Sequence, residues 1–224
     1  LTEEIIASKI AGDDNGFSYN TALSTDYDFY ENYVNFDINM ISPIADNAFN
    51  YYKYKLESTF FDDKQQLINK IKVIAKRDKE PVFEGYIYLV DDTWAIYAIE
   101  LDIKGYRMQE PVLETMKLTQ NFSYNSNTKS WAKNIQTLDF KAGIFGITFN
   151  GKFTHVFSNY DFDVAIDKKT FKNEVVKFAE NANKKDNEFW NQNRPVPLTD
   201  EELTNYVKKD SIQTLRKSQK YLDS

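Results

Sequence analysis

Residues 83–103 decide the fold, and they read FEGYIYLVDDTWAIYAIELDI. From 95 to 103 every second residue is apolar, a period of two that predicts a half-buried β-strand. Residues 86–90 are apolar or aromatic at consecutive positions, which is typical of a strand that is covered on both faces. Asp91 and Asp92 separate the two runs, and such residues favour turns. The stretch therefore predicts two antiparallel strands joined by a short turn.

The same period continues on both sides of this pair. Residues 52–60 alternate between apolar and polar side chains, and Asp62-Asp63-Lys64 then turns the chain. Further strands are predicted at about 67–76, 112–124, 131–142 and 144–159. Residues 49–167 are therefore predicted to form an antiparallel β-meander.

Two interpretations remain open at Asn150-Gly151. An Asn-Gly pair between apolar runs is typical of a tight hairpin turn. Phe149 before the pair and Phe153 after it nevertheless keep the same parity. One long strand with a bend at Gly151 explains that parity equally well.

The two flanks of the meander show a different pattern. Residues 1–48 are predicted to be irregular, with a short helix at about 43–49 that Ser42 caps and Pro43 begins. Residues 168–224 are predicted to be a helical extension. Its first part has apolar residues at helical spacing, namely Phe171, Val175, Phe178 and Ala182.

A proline-rich hinge at 194–197 interrupts the helical extension, since successive prolines disfavour helix. Thr199 and Glu202 form a capping box that opens a helix over about 200–217. The predicted fold class is mainly β (α+β). It is a curved antiparallel sheet or half-barrel meander, with short N-terminal and longer C-terminal helices packed on or beside it, in one domain overall.

Composition excludes several classes of function. The chain has no cysteine, so disulfides and thiolate-ligated metals are excluded. Its net charge is −6, and no stretch gathers the positive charge that nucleic-acid binding requires, so no nucleic-acid partner is expected. No apolar run approaches the roughly 20 residues of a membrane-spanning helix. The chain begins at Leu1 rather than Met, and we expect it to be a piece of a longer protein.

No catalytic, cofactor-binding or metal-binding residue is predicted. His155 is the only histidine, and Ser158 and Asp161 lie near it, but no Gly-x-Ser-x-Gly motif accompanies them. Glu100 and Asp102 share a strand face, where we expect a solvated surface rather than a pair of catalytic acids. The acidic runs at 13–16 and 161–163 lack the ligand spacing of a calcium loop, so we interpret both as turns.

Several longer strings resemble an uncharacterised family of Gram-negative outer-membrane proteins. They are NGFSYN at 15–20, FYEN at 29–32, ISPIADNA at 41–48, YKYKLE at 52–57, NKIKVI at 69–74, PVFEGYIY at 81–88 and RPVPLT at 194–199. Members of that family look like TonB-dependent-receptor relatives. They carry a carboxypeptidase-regulatory-like β-sandwich, a region similar to this one, and a C-terminal membrane barrel. The matching strings run from about residue 5 to 222.

The resemblance implies a non-catalytic binding or scaffolding domain in the periplasm, as part of an outer-membrane protein. Its partners would then be the sandwich upstream and the barrel downstream. The meander also resembles, more distantly, the half-barrel of periplasmic lipoprotein carriers, which implies an apolar cavity for acyl chains. A carbohydrate-binding module is a further alternative, since Trp94, Trp131 and Trp190 can stack on sugars if they are exposed. The sequence leaves open the ligand and the oligomeric state.

Overall fold

The computed structural model describes residues 3–7, 25–162 and 176–216. The chain divides into two compact units, residues 26–162 and residues 1–25 with 163–224. Numbered in chain order, the strands and α-helices are β1 (Glu3–Ile5), β2 (Tyr33–Asn35), β3 (Asn39–Ile41), β4 (Tyr52–Phe61), β5 (Leu67–Ala75), β6 (Glu84–Val90), β7 (Ile96–Lys104), β8 (Leu113–Asn125), β9 (Ser130–Ile144), β10 (Ile147–Val156), β11 (Val176–Phe178), α1 (Asn187–Asn193) and α2 (Asp200–Arg216).

The larger unit is built on a seven-stranded sheet of strands β4 to β10 in chain order. Every neighbouring pair is antiparallel. The predicted antiparallel meander is therefore confirmed, because turns this short can only join antiparallel neighbours. The sheet is open, with β4 at one edge and β10 at the other. Register shifts between Leu56 and Ser58, Tyr88 and Leu89, and Asn121 and Phe122 mark bulges, which bend a sheet.

Residues 26–50, which we call the covering segment, bury one face of the sheet. Its side chains form a single core cluster with residues of the strands, including Phe29, Met40, Ile87, Leu101 and Leu118. Several cross-strand polar contacts hold the segment in place. The Tyr52 hydroxyl donates to the carbonyl of Ile41 and accepts the backbone N–H of Phe83.

A buried pair of amides holds the beginning of the covering segment. Gln120 Nε2 donates to the carbonyl of Tyr27 at 2.6 Å and to Gln136 Oε1 at 2.7 Å. The same Gln136 oxygen accepts the N–H of Tyr27 at 3.2 Å. Both glutamines lie on the core face of adjacent strands, directly opposite each other. They satisfy a main-chain segment that has no strand partner, as buried backbone requires.

The short helix predicted at about 43–49 is present only at its end. Residues 43–47 form turns, and a single 3-10 turn follows at Ala48–Asn50. The Ser42 hydroxyl does accept the N–H of Ile44, but it also donates to the carbonyl of Phe29 and so ties the turn to the core. A run this short between two strands cannot offset the cost of nucleating an α-helix.

The open question at Asn150-Gly151 is resolved in favour of one strand. Strand β10 runs through both residues, and the hairpin turn lies instead at Phe145-Gly146, with φ of 51° and 82°. Two positive φ values are typical of a type I′ hairpin turn. Gly151 is needed for a different reason, because a Cβ there would lie 2.1 Å from the Phe140 ring.

In the smaller unit, β1 and β11 pair in parallel. The helical prediction is wrong at Val176–Phe178, where pairing with β1 stabilises a strand instead, and its first part at 168–175 lies outside the described residues. Helix α2 confirms the prediction for about 200–217, with Glu202 Oε2 accepting the Thr199 N–H at 2.8 Å. Among the described helices, none combines the length and the apolar character needed to cross a bilayer.

Candidate functional site

We call the face of the sheet opposite the core cluster the outer face. One end of the sheet carries a row of contacting aromatic rings, and this row begins on the outer face with Phe60 and Tyr88. Phe60 lies 6.4 Å from Tyr88 and 6.3 Å from Tyr97, centroid to centroid. Trp131 continues the row at 5.9 Å from Tyr97 and 5.6 Å from Tyr124. These five residues, the aromatic row, come from five strands near the end of the sheet that carries the β4–β5, β6–β7 and β8–β9 turns.

The aromatic row explains a second group of buried apolar residues. Ile68, Val90 and Ala98 are buried but lie outside the core cluster. Ile68 is paired with Phe60 on one side and with Val90 on the other. The side chains of Ile68, Phe60 and Val90 therefore all point to the outer face. The consecutive apolar residues at 86–90 predicted a strand covered on both faces, and this strand has apolar contacts on both.

Two more aromatic side chains project into solvent beside the row. Phe61 is the last residue of β4 and Trp94 lies in the β6–β7 turn, and each is 64% exposed. Trp94 adopts a φ of 57°, which is uncommon for a bulky residue. We call the row together with Phe61 and Trp94 the aromatic end.

Carboxylates of the turns border the aromatic end. Burial raises the pKa of the Tyr97 hydroxyl, and the charges of Asp62 and Asp63 raise it further. Asp62 Oδ1 accepts the N–H groups of Lys64 and Gln66, which fixes the β4–β5 turn. The aromatic end therefore combines exposed rings with the carboxylates of a turn that is held by its own hydrogen bonds.

Further along the outer face, a lysine lies over tyrosine rings. Lys70 Nζ is 4.2 Å from the Tyr86 centroid and 5.4 Å from that of Tyr88. The Tyr88 hydroxyl donates to Glu100 Oε1 at 3.1 Å. Cation–π contact and hydrogen bonding hold these half-buried groups in a defined arrangement.

The two acids considered as a catalytic pair share the outer face, as predicted. The pKa of Asp102 is raised, mainly by desolvation. The positive charge of Lys117 lowers this pKa, whereas the negative charges of Glu100 and Glu84 raise it. Glu84 is the direct cross-strand neighbour of Asp102. Within the described ranges, no three carboxylate or histidine side chains are arranged to hold a metal ion.

The remaining residues considered from the sequence lie on or after the last strand of the sheet, or outside the described residues. His155 is half-buried on the edge strand β10, opposite Gln136, with its ring 6.3 Å from that of Phe157. Ser158 and Asp161 follow the strand and are exposed. The acidic run at 13–16 lies outside the described residues.

The opposite end of the sheet contains a charged cluster that the sequence analysis missed. Arg107 is almost fully buried, with 1% of its side chain exposed. Its Nε donates to the carbonyl of Asp78 at 2.7 Å and its Nη1 to that of Val82 at 3.3 Å. Its Nη2 donates to Asp78 Oδ1 at 2.8 Å and lies 3.1 Å from Glu84 Oε2.

Two neighbours complete this Arg107 cluster. The Tyr106 hydroxyl and Lys104 Nζ both donate to the Asp78 carboxylate. Hydrogen bonds from Tyr106, Lys104 and Arg107 hold the pKa of Asp78 well below its usual range. All polar atoms of the guanidinium point at the 78–84 segment, so the cluster is a structural clamp. A single arginine gave no signal in the sequence, because its partners Asp78, Val82 and Glu84 lie 23–29 residues away.

Comparison with known proteins identifies a family but no activity. The profile of a family of unknown function, DUF5686, matches residues 1–160. No curated protein matches the chain. No solved structure matches it either.

Proposed function

This chain belongs to the DUF5686 family, and we propose that it is a non-catalytic binding module of a larger cell-envelope protein. Its location in the periplasm, as part of an outer-membrane protein, rests on the resemblance of the strings quoted above. So does the expectation that neighbouring domains of the same longer chain are its partners. The aromatic end is the surface that we assign to ligand binding.

The observation that carries this proposal is the exposure of Trp94 and Phe61 on a rigid base. Exposed aromatic side chains clustered at one site indicate binding, whereas single exposed apolar residues are ordinary. The aromatic row beneath them is fixed by ring contacts across five strands. A binding site on a rigid scaffold loses little conformational entropy when a ligand docks.

Carbohydrate is the ligand class that this surface favours. Indole and phenyl faces stack on the apolar faces of sugar rings, and the carboxylates of Asp62 and Asp63 can accept hydrogen bonds from hydroxyl groups. Soluble peptidoglycan fragments and a neutral glucan hexamer are suitable probes. The acyl-carrier alternative has less support, since the covering segment fills the apolar face of the sheet with its own side chains.

Calorimetric titration of these glycans tests the proposal. We expect Trp94→Ala to weaken binding by roughly tenfold or more, because a central aromatic contact carries much of the binding energy. Phe49→Ala is the matched control, since Phe49 is also exposed but lies beside β4 at the opposite end of the sheet. Equal losses in both variants, or no binding by the parent chain, would exclude the carbohydrate site.

The non-catalytic part of the proposal has a separate test. The purified chain is assayed against ester, glycoside and peptide substrates, with His155→Ala and Glu100→Gln as variants. We expect no turnover above buffer in any of the three proteins. Hydrolysis by the parent chain that is lost in either variant would show that the protein is an enzyme.

A further inference from the structure

Among the residues that the structure describes, one edge of strand β10 has no hydrogen-bonded neighbouring strand. The type I′ turn makes Ile144 and Ile147 the first hydrogen-bonded pair with β9, and alternate residues of β10 continue that pattern. The N–H and C=O groups of the residues between them therefore point away from the sheet. Those residues are Thr148, Asn150, Lys152, Thr154 and Val156, all of them exposed.

The two edges of the sheet differ in how they are protected. Strand β4 has a bulge at Glu57 and carries Lys53 and Lys55, devices that discourage pairing with another strand. Strand β10 pairs with β9 through ten consecutive positions without a bulge, contains no proline, and has one lysine. A regular edge of this kind is a template for a further strand.

We propose that β10 pairs antiparallel with β10 of a second copy of this chain, about a two-fold axis at Gly151. In this register Thr148 lies opposite the partner's Thr154, and Asn150 opposite the partner's Lys152. On the other face Phe149 lies opposite the partner's Phe153. Thr–Thr and aromatic pairs are favourable cross-strand neighbours, and no like charges face each other. The outward N–H groups of both strands then find acceptors.

Neighbouring two-fold registers are less favourable. An axis at Lys152 places the two Lys152 side chains directly opposite each other, which is destabilising. An axis at Asn150 pairs only residues 147–153, because the hairpin turn ends the strand, whereas the axis at Gly151 pairs residues 147–155. The strand is thus complementary to itself in one register, as a symmetric dimer requires.

The proposed pairing also covers apolar surface beside the hairpin turn. Ile147 is 72% exposed. In the dimer, Ile147 lies opposite the partner's His155, on the face that carries Phe149 and the partner's Phe153. Ile147 therefore loses exposed apolar surface when the strands pair.

Charge substitutions at Asn150 test the register by sedimentation equilibrium of the full 224-residue chain. Asn150→Lys places two lysine pairs across the interface, and Asn150→Glu places two Glu–Lys pairs there. We expect dimerisation to be weakened by the first and strengthened by the second, each by about 2- to 30-fold. Ser58→Lys and Ser58→Glu are matched controls, because Ser58 lies on the other edge strand opposite Lys70, as Asn150 lies opposite Lys141.

Amide hydrogen exchange supplies an independent readout. With rising protein concentration, we expect slower exchange at Thr148, Asn150, Lys152 and Thr154, and no change in strand β4. A chain that stays monomeric at millimolar concentration, with these amides exchanging freely, overturns the proposal. Equal effects of the Asn150 and Ser58 substitutions on self-association overturn it as well.

Discussion

Replacing Arg107 by methionine removes the centre of the clamp at the 78–84 segment. Methionine keeps most of the aliphatic volume, so the change deletes the guanidinium with little loss of packing. Two carbonyl oxygens, those of Asp78 and Val82, lose their donor. Two carboxylates lose a buried cationic partner.

The expected cost follows from where these partners lie. A carbonyl that is left buried without a donor costs about 1–3 kcal/mol, and the Val82 carbonyl is in the interior. The side chains of Asp78 and Glu84 are 60% and 37% exposed, so water replaces the guanidinium there and each ion pair adds about 1 kcal/mol or less. We therefore expect Arg107→Met to lower the free energy of unfolding by about 2–4 kcal/mol.

Urea titration followed by tryptophan fluorescence measures this cost. A Trp190→Phe background limits the signal to Trp94 and Trp131, both of which lie in the 26–162 unit. Lys104→Met is the matched control, because Lys104 binds the same carboxylates but is 44% exposed. We expect that control to lose about 1 kcal/mol or less.

Equal losses in the two variants would refute the reasoning, since they would show that burial of the guanidinium adds nothing. Arg107→Lys keeps the positive charge but removes the planar guanidinium with its several donors. A lysine cannot donate to two carbonyls and two carboxylates at once, so we expect it to recover less than half of the loss.

Three further predictions concern single residues. Because the pKa of Asp78 is depressed in the fold, its contribution to stability is present above its ordinary value of 3.8 and is lost at lower pH. Asp78→Asn should therefore be less stable than the parent at pH 7, with the gap closing in acid; a gap independent of pH would contradict this. The pKa of Asp102 is raised in the fold, so its charged form destabilises the protein at neutral pH. Urea titrations should therefore show Asp102→Asn to be more stable than the parent at pH 7 and equal to it below about pH 4. A less stable variant at pH 7 would disprove this. Gly105→Ala should lower the free energy of unfolding, measured by thermal unfolding, by about 3 kcal/mol or more, because the new Cβ would lie 1.7 Å from the Leu113 carbonyl oxygen. Gly146→Ala is the control, since its Cβ has open space and costs only the strain of a φ of 82°, about 1–2 kcal/mol. Similar losses in the two variants would argue against the steric account.

The sheet was predictable because each strand carries its own signal. A period of two is a local property of the chain, and the turns between strands are rich in Asp and Asn. The two-sided apolar character of residues 86–90 even indicated that both faces would be covered there. The predicted strands put the last break at about residue 143, close to the turn at Phe145-Gly146, but the Asn150-Gly151 pair left a second hairpin position open.

The elements that depend on distant partners were not predictable. Residues 176–178 look helical in isolation and become a strand through pairing with β1. The clamp at Arg107 and the aromatic row each combine residues from separate strands, and single-sequence spacing contains no information about such contacts. Trp94 and Trp131 were noted as sugar-stacking candidates, but only the fold shows that they lie at the same end of the sheet.

The covering segment is synthesised before the surface that it covers. The carbonyl and the N–H of Tyr27 bind Gln120 and Gln136, which lie 93 and 109 residues further along the chain. At ordinary rates of translation this delay is about 5–20 s. The main chain of the covering segment at Tyr27 therefore cannot reach its final hydrogen bonds before β9 is complete, although the strands that pack on Phe29 and Met40 are made earlier.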